Sequence, residues 1–176
     1  MNETIKVLTT RRSIRNFGDK KVPEELLDQI LEAGLYAPSG MGKQSAYAIC
    51  IQEPELLARY KACCSEARGM GGDDPFYGAT TVVAVLADPE GTLYVQDGSL
   101  MIGNMLNAAW SLGVDSIWIH GARETFESEE GQAILKELGI PGNYVGIGHA
   151  ALGYRAEGVE DPVPAPRKEG RITKCL

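Results

Sequence analysis

The sequence lacks the patterns that mark several common classes of protein. No apolar run reaches the ~20 residues that a membrane-spanning helix needs, and the first residues contain no apolar core of a secretory signal. We therefore expect a cytoplasmic protein without a membrane partner. The chain of 176 residues carries a formal net charge of −7. Nucleic acid is not expected as a partner either, because nucleic-acid-binding domains usually present a basic face.

Residues that bind metals or act as nucleophiles are also scarce. The four cysteines and two histidines form neither a CxxC pair nor an HExxH motif, so we expect free thiols and no metal site. No serine lies in a GxSxG motif, so a hydrolase triad is not indicated. His149 lies in an apolar strand pattern and is expected to be structural. His120 follows a strand and precedes a glycine, where backbone groups can meet a ligand.

Nucleotide-binding fingerprints are absent as well. The sequence contains no Walker A motif. Residues 146–153, GIGHAALG, have glycines in the spacing GxGxxxxG, and they lie inside a strand pattern instead of at a strand-to-helix turn. This context does not meet the requirement for a Rossmann dinucleotide site.

Helical and strand patterns alternate along the chain. The apolar spacing and the capping residues predict helices over residues 3–9, 23–36, 54–64, 93–112 and 128–139, with Pro23 at a first helical position. Strand patterns cover residues 46–52, 80–88, 115–120 and 143–154. The β-branched run at 80–88 predicts a buried central strand, and the glycines of 69–75 predict a mobile loop. Together these elements predict one α+β or mixed α/β domain over residues 1–176.

Positive charge is concentrated near the N-terminus, in the stretch TTRRSIRNF (residues 9–17). Arg11, Arg12 and Arg15 fall close together, with Ser13 among them. Such a cluster has two explanations: a solvated helix end, or a site where guanidinium groups and a hydroxyl bind phosphate. Taken alone, the cluster favours the helix end.

Two further segments favour a ligand site. Residues 37–44, APSGMGKQ, end a helix at Pro38 and supply small residues that let a flat ligand approach the backbone, together with the amide of Gln44. The C-terminal tail adds Arg167 and Lys168 after three closely spaced prolines. An extended tail of this kind buries little surface alone, so we expect it to lie on something else, such as a partner subunit.

These segments resemble a known family. The stretches TRRSIRNF and VPEELLDQILEAGLYAPSGMGKQ resemble the opening of the nitroreductase-like FMN-dependent oxidoreductases. The order of the later segments is similar too: DPFYGATTVVAVLAD, YVQDGSLMIGNMLNAAWSLGVDSIWI, a short helix, a glycine-rich strand and a Pro-Arg-Lys tail. The likeness covers nearly the whole chain and is to the compact members of the family.

The resemblance implies an α+β fold with helices flanking a central mixed or antiparallel sheet. It also implies an intertwined homodimer that binds FMN at the subunit interface, with an extended tail of about residues 155–176 exchanged between the subunits. No side chain is expected to be catalytic, and the backbone of His120 and Gly121 is expected near flavin N5. The residues implied at the cofactor are Arg11, Arg12, Ser13, Arg15, Pro38, Ser39, Gly40, Met41, Gln44, His120, Gly121, Arg167 and Lys168.

Two segments depart from the family pattern. Where the family usually continues with asparagine, arginine or serine, glutamine, proline and tryptophan, this chain has GKQSA at residues 42–46. The change either enlarges the pocket or is compensated by Tyr47. Residues 66–75, where the family has basic or amide contacts to the pyrimidine ring, are too rich in glycine for an assignment.

The activity that the resemblance implies is NAD(P)H-dependent reduction of nitroaromatics, quinones or related acceptors through FMN, in a ping-pong two-electron mechanism. Two alternatives remain open. The same fold serves narrower reactions, such as flavin reduction, enone reduction or azoline oxidation. The chain is alternatively an FMN-binding protein without turnover.

Overall fold

A computed structural model of the chain describes residues 1–140 and 142–176. Its helices are α1 (Glu3–Thr10), α2 (Glu24–Leu35), α3 (Pro54–Ala67), α4 (Tyr94–Ser111), α5 (Ala122–Glu127) and α6 (Glu129–Glu137). Its strands are β1 (Ala46–Ile51), β2 (Thr81–Ala87), β3 (Asp115–Ile119) and β4 (Val145–Gly153). Each helix and strand predicted from the sequence is present, and the α+β class is confirmed.

Two local details differ from the sequence prediction. Pro23 is not the first helical residue, because its backbone is extended (φ −60°, ψ 145°) and α2 begins at Glu24. The helix α5 was not predicted at all. It has six residues and makes fewer than two turns, which is too short to show an apolar stripe at helical spacing.

The four strands form one antiparallel sheet in the order β1-β2-β4-β3. β2 lies inside the sheet, and all seven of its residues are buried, as its β-branched run predicted. β1 and β3 are the two edges of the sheet. The residues that precede β1 and those that follow β3 therefore lie at opposite edges.

Helices cover both faces of the sheet. On one face α2 and α4 build a core in which Ile30 and Met105 join Val85 of β2. A Cβ on Gly34 of α2 would lie 2.8 Å from Met105 Cγ, so this glycine permits the close packing of the two helices. On the other face α3, α5 and α6 build a second core around Tyr60. No helix among the described residues combines the length and apolar character needed to cross a bilayer.

The segment after α1 runs along the outer edge of β3. Ser13 forms a parallel bridge with Ser116 of β3, and the amide of Ile14 donates to the Ser116 carbonyl at 3.2 Å. The side chain of Ile14 is fully buried. Trp110 Nε1 donates to Thr10 Oγ1 at 3.1 Å and so ties the end of α1 to α4. The arginine cluster is thus anchored to the sheet.

The C-terminal tail leaves the sheet after β4 from a fixed starting point. Arg155 donates from Nε and Nη2 to the carboxylate of buried Asp115 at 2.9 and 2.7 Å, and from Nη1 to Asp161 at 2.6 Å. From residue 160 onward every side chain is exposed, including those of Val163 and Ile172. The tail therefore leaves apolar side chains exposed to water in the single chain.

Candidate functional site

A cavity of about 220 Å³ lies at the end of β3. Arg15 and Arg68 line it together with Trp118 and His120. Because Ser13 is bridged to β3 and β3 ends at Ile119, the N-terminal arginine segment and the turn at residues 120–121 open toward the same space. The structure therefore brings together two segments that are about a hundred residues apart in the sequence.

Arg11 and Arg15 have no carboxylate partner among the described residues. The cations that do form ion pairs there are Lys6, Arg59, Lys61 and Arg155. Arg11 is half-buried, and burial together with the charge of Arg12 lowers its pKa. Its side chain reaches only the Ser13 hydroxyl, at 3.5 Å. A half-buried cation beside other cations is stabilised by a bound anion, so this geometry suits a phosphate.

Arg12 points elsewhere. Its Nη1 donates to the carbonyl oxygens of Arg11 at 2.9 Å and Thr9 at 3.2 Å. These carbonyls lie at the C-terminal end of α1, where a cation satisfies unpaired acceptors and the helix dipole. In this structure Arg12 Nη1 is therefore engaged at the end of α1, whereas the side chains of Arg11 and Arg15 make no hydrogen bond to a carbonyl of that helix among the described residues.

Arg68 lies in the segment of residues 66–75, where the resemblance implies contacts to the pyrimidine ring and where the sequence assigned no residue. It caps the C-terminus of α3, and a Cβ on Gly121 would lie only 2.5 Å from its Cδ. The backbone of Gly121 is also left-handed (φ +98°). Glycine is therefore favoured there both by the lack of room for a Cβ and by the backbone conformation. The sequence signal was an isolated arginine before a glycine-rich stretch. Arg68 was left unassigned because residues 66–75 are too rich in glycine to assign from the sequence.

A buried hydrogen-bond network holds the last residue of β3. His149 Nδ1 lies 3.2 Å from the Ile119 carbonyl oxygen, and its Nε2 lies 2.8 Å from the Tyr60 hydroxyl. His149 is fully buried, and this burial lowers its pKa to about 3. The ring is therefore neutral, with Nδ1 donating to the carbonyl and Nε2 accepting from Tyr60. The prediction that His149 is structural is confirmed.

The loop of residues 37–45 lies between α2 and β1. Pro38, Ser39 and Gln44 line a small cavity of about 80 Å³, which has no lining residue in common with the cavity beside His120. Met41 is 81% exposed. The backbones of Met41 (φ +53°) and Gln44 (φ +49°) are left-handed, a conformation that side chains other than glycine rarely adopt. The loop therefore has a defined and strained shape.

The asparagine, proline and tryptophan that the family usually has in this loop are absent from this chain. Other residues do not pack tightly into their place. A Cβ on Gly42 would meet no atom within 4 Å among the described residues. Tyr47 packs on Tyr144, with ring centroids 5.5 Å apart. Of the two possibilities open from the sequence, the structure favours an open space beside Gly42.

A single chain does not bring the loop and the arginine cluster together. The loop precedes β1, and the cluster lies along β3, at the other edge of the sheet. Three strand spacings separate these edges, or about 14 Å. Arg167 and Lys168 are exposed in the tail, and Arg167 Nη2 donates within the tail to Ala165 O at 2.6 Å. The predicted residues thus form three separate groups in one chain.

The described residues contain no cluster for a metal ion, and the vicinal thiol of Cys64 is buried. No group of three or more histidine, cysteine, aspartate or glutamate side chains there is arranged to hold a metal ion. All four cysteines are free, as predicted. Cys64 is buried, and burial raises the pKa of its thiol to about 11, which keeps it protonated and unreactive at neutral pH.

The chain is similar in sequence and in fold to known proteins. The profile of the Nitroreductase family matches residues 8–68 and 65–154. A crystal structure of a nitroreductase with bound FMN from Bacteroides fragilis NCTC 9343 is 34% identical, with 100% of both chains covered and a TM-score of 0.88.

Two curated proteins are similar in sequence. A protein from Archaeoglobus fulgidus carries the provisional name NADH dehydrogenase/NAD(P)H nitroreductase. It is 36% identical over 160 residues, which is 88% of this chain and 86% of the relative. A Bacillus subtilis protein named FMN reductase (NAD(P)H) is 49% identical over 55 residues, which is 31% of this chain and 22% of that relative.

Proposed function

This chain belongs to the nitroreductase family, and we propose that it is an FMN-dependent oxidoreductase that uses NAD(P)H to reduce nitroaromatics, quinones or related acceptors. When bound, FMN supplies the two-electron redox chemistry, in a ping-pong sequence with donor and acceptor using the same site in turn. The protein's contribution is to hold the cofactor, to set the charge around it and to shape the space for the second substrate.

The observation that carries the proposal is the unpaired positive charge at the edge of β3. Arg11 and Arg15 lack carboxylate partners in the described part of an acidic chain. Both contact Ser13: Arg11 Nη1 lies 3.5 Å from its hydroxyl, and Arg15 Nη1 lies 3.5 Å from its carbonyl oxygen. This donor set fits the phosphate of FMN, because guanidinium groups bind phosphate through charge-assisted hydrogen bonds. Arg11, Ser13 and Arg15 would hold the phosphate.

We place the flavin ring at the cavity beside the phosphate site. His120 and Gly121 offer backbone groups at the end of β3, and Trp118 lines the same cavity. We assign Arg68 as the cation of this cavity, since its side chain crosses Gly121 and has no carboxylate partner among the described residues. Its charge would favour the negative charge that accumulates on a flavin during reduction.

Completion of the site requires a second copy of the chain. The loop residues Pro38, Ser39, Gly40, Met41 and Gln44 lie at the opposite edge of the sheet from the arginine cluster. In a homodimer the loop of one subunit would cover the flavin held by the other. The exposed tail fits the same arrangement, because an exchanged tail would cover its apolar residues and bring Arg167 and Lys168 to the partner's phosphate site.

No side chain is assigned as a general acid or base. His149 is buried and neutral within its network with Tyr60, so it has no access to a substrate. The backbone at residues 120–121 and the positive charge of Arg68 are the groups that would influence proton and electron movement in the cavity. A mechanism that relies on orientation and electrostatics needs no general acid or base. The described residues of the site are therefore sufficient for it.

A narrower activity is the second candidate. The partial likeness to the protein named FMN reductase falls on 55 residues and favours flavin reduction by the same fold. An FMN-binding protein without turnover is the remaining alternative.

Steady-state oxidation of NADH and NADPH by the FMN-loaded protein tests these proposals. Consumption that depends on an added quinone or nitroarene supports the oxidoreductase with a broad acceptor range. Consumption that appears only with free flavin as acceptor identifies a flavin reductase. No consumption with any acceptor, by protein that retains FMN, would leave the binding protein and contradict the enzyme.

A further inference from the structure

One buried carboxylate joins both ends of the strained loop. Asp97 lies in the first turn of α4, is 6% exposed, and accepts the amide of Gly40 at Oδ1 (2.9 Å) and the hydroxyl of Ser45 at Oδ2 (2.7 Å). Gly40 and Ser45 flank Met41 and Gln44, the two left-handed residues of the loop that are not glycine. The Asp97 side chain thus closes the loop across its base.

The rest of the loop depends on this closure. Inside it, the Gln44 amide donates to Ser39 Oγ at 3.0 Å, and the Lys43 amide donates to the Gly40 carbonyl at 3.1 Å. Left-handed backbone at residues other than glycine persists only where the surroundings hold it in place. These internal bonds span only the loop itself, whereas Asp97 fixes the loop to α4, a rigid helix of 18 residues.

Asp97 has no cationic partner among the described residues. Its charge is stabilised by the two hydrogen bonds and by its position at the positive end of the α4 dipole. A buried carboxylate is costly without such partners. The two bonds to Gly40 and Ser45 therefore help to offset the cost of burying this carboxylate.

We propose that Asp97 is a positioning residue that fixes the loop of residues 39–45 in the shape that receives FMN. The inference rests on the proposed function, because the loop serves the cofactor only if the chain binds FMN. Asp97 itself would touch neither flavin nor substrate. Its effect would be transmitted through the position of Ser39, Met41 and Gln44.

Two readouts on matched variants test the proposal. Asp97→Ala removes both bonds, Ser45→Ala removes one, and Asp97→Asn keeps both, since its carbonyl accepts from Gly40 and its amide donates to Ser45 Oγ. The control is Gln52→Ala, which also removes two side-chain hydrogen bonds, to Val22 O and Thr81 Oγ1 at 2.9 and 2.8 Å, at the other end of β1.

The first readout is tryptic cleavage after Lys43, an exposed residue in the loop, measured by mass spectrometry without flavin. The second is the dissociation constant of FMN from fluorescence quenching. Asp97→Ala is expected to raise both the cleavage rate and the dissociation constant by about a hundredfold, since it removes two hydrogen bonds to a charged group, each worth about tenfold. Ser45→Ala, which removes one of them, should raise both by about tenfold, and Asp97→Asn and Gln52→Ala should change neither.

The outcomes separate the two proposals. Wild-type protein that takes up no FMN contradicts the proposed function. Wild-type protein that binds FMN, with Asp97→Ala binding it as tightly or showing no faster cleavage after Lys43, contradicts the positioning role alone. If Asp97→Ala does not fold, the same two readouts on Ser45→Ala test the positioning role: unchanged FMN binding or unchanged cleavage after Lys43 contradicts it. A purely structural role predicts a lower melting temperature in Asp97→Ala with an unchanged FMN dissociation constant.

Discussion

The side chain of Arg68 lies directly across the backbone of Gly121, so closely that a Cβ at Gly121 would fall 2.5 Å from Arg68 Cδ. This contact joins the C-terminal end of α3 to the turn after β3. It fixes Arg68 at the cavity that His120 also lines. The identity of residue 121 and the placement of Arg68 are therefore linked.

Gly121→Ala is expected to cost more stability than other substitutions at left-handed glycines. Gly113 (φ +73°) is the matched control, because a Cβ there meets no described atom within 4 Å. Gly113→Ala should lower the free energy of unfolding by about 1 kcal/mol through backbone strain alone. Gly121→Ala should lower the free energy of unfolding by more than Gly113→Ala does. It should also weaken FMN binding, since Arg68 must move. If the two variants have equal free energies of unfolding in urea and Gly121→Ala binds FMN normally, Arg68 does not pack closely against Gly121 in solution.

Removal of the unpaired arginines should weaken FMN binding without loss of the fold. Arg11→Ala and Arg15→Ala each remove a charged donor, so each is expected to raise the FMN dissociation constant roughly ten- to a hundredfold. Lys136→Ala, a change of an exposed cation on α6, is the control and should leave the constant unchanged. Fluorescence quenching of FMN measures all three. If both arginine variants bind FMN as tightly as the wild type, the cluster is only a solvated segment.

Mixed dimers test whether two chains build each site. One chain carries Arg11→Ala and Arg15→Ala, the other carries Ser39→Ala and Gln44→Ala, and different affinity tags select the heterodimer. In the exchanged arrangement one site receives both altered halves and the other receives both intact halves. About half of the sites should then bind FMN with wild-type affinity. A heterodimer in which no site regains that affinity would place both halves of each site on the same chain.

The buried histidine predicts a specific pH dependence of stability. The pKa of His149 is lowered from 6.5 to about 3, so between these values the unfolded chain binds a proton that the folded chain does not. Stability is therefore lost as pH falls below 6.5, by up to about 1.4 kcal/mol per pH unit from this group. His149→Gln should lose less stability than the wild type between pH 7 and pH 5 in urea unfolding without added flavin. Parallel pH profiles of the two proteins would contradict a neutral, buried His149.

Much of the fold was predictable from the sequence, because the strongest patterns are set by burial. The β-branched run of residues 80–88 became the fully buried β2, and the helix at 128–139 begins at the predicted cap, where Ser128 accepts the Gly131 amide. Helix α5 escaped prediction because it has six residues and its start is set by the left-handed turn at Gly121, which is a tertiary feature.

The candidate site was predictable in its parts but not in its assembly. The sequence identified the arginines, the loop and the tail as separate segments, and it offered no distance between them. Arg68 was missed because its relevance comes from contact with Gly121, far away in the chain. Asp97 was missed because an aspartate in a first helical turn is ordinary, and only the structure shows that it binds Gly40 and Ser45.

The most direct test of the account is the visible absorbance spectrum of the purified chain after incubation with FMN and gel filtration. The account predicts yellow protein that retains stoichiometric FMN and whose flavin absorbance bleaches when NADH or NADPH is added without oxygen. Colourless protein, with all of the FMN in the small-molecule fraction, would contradict it.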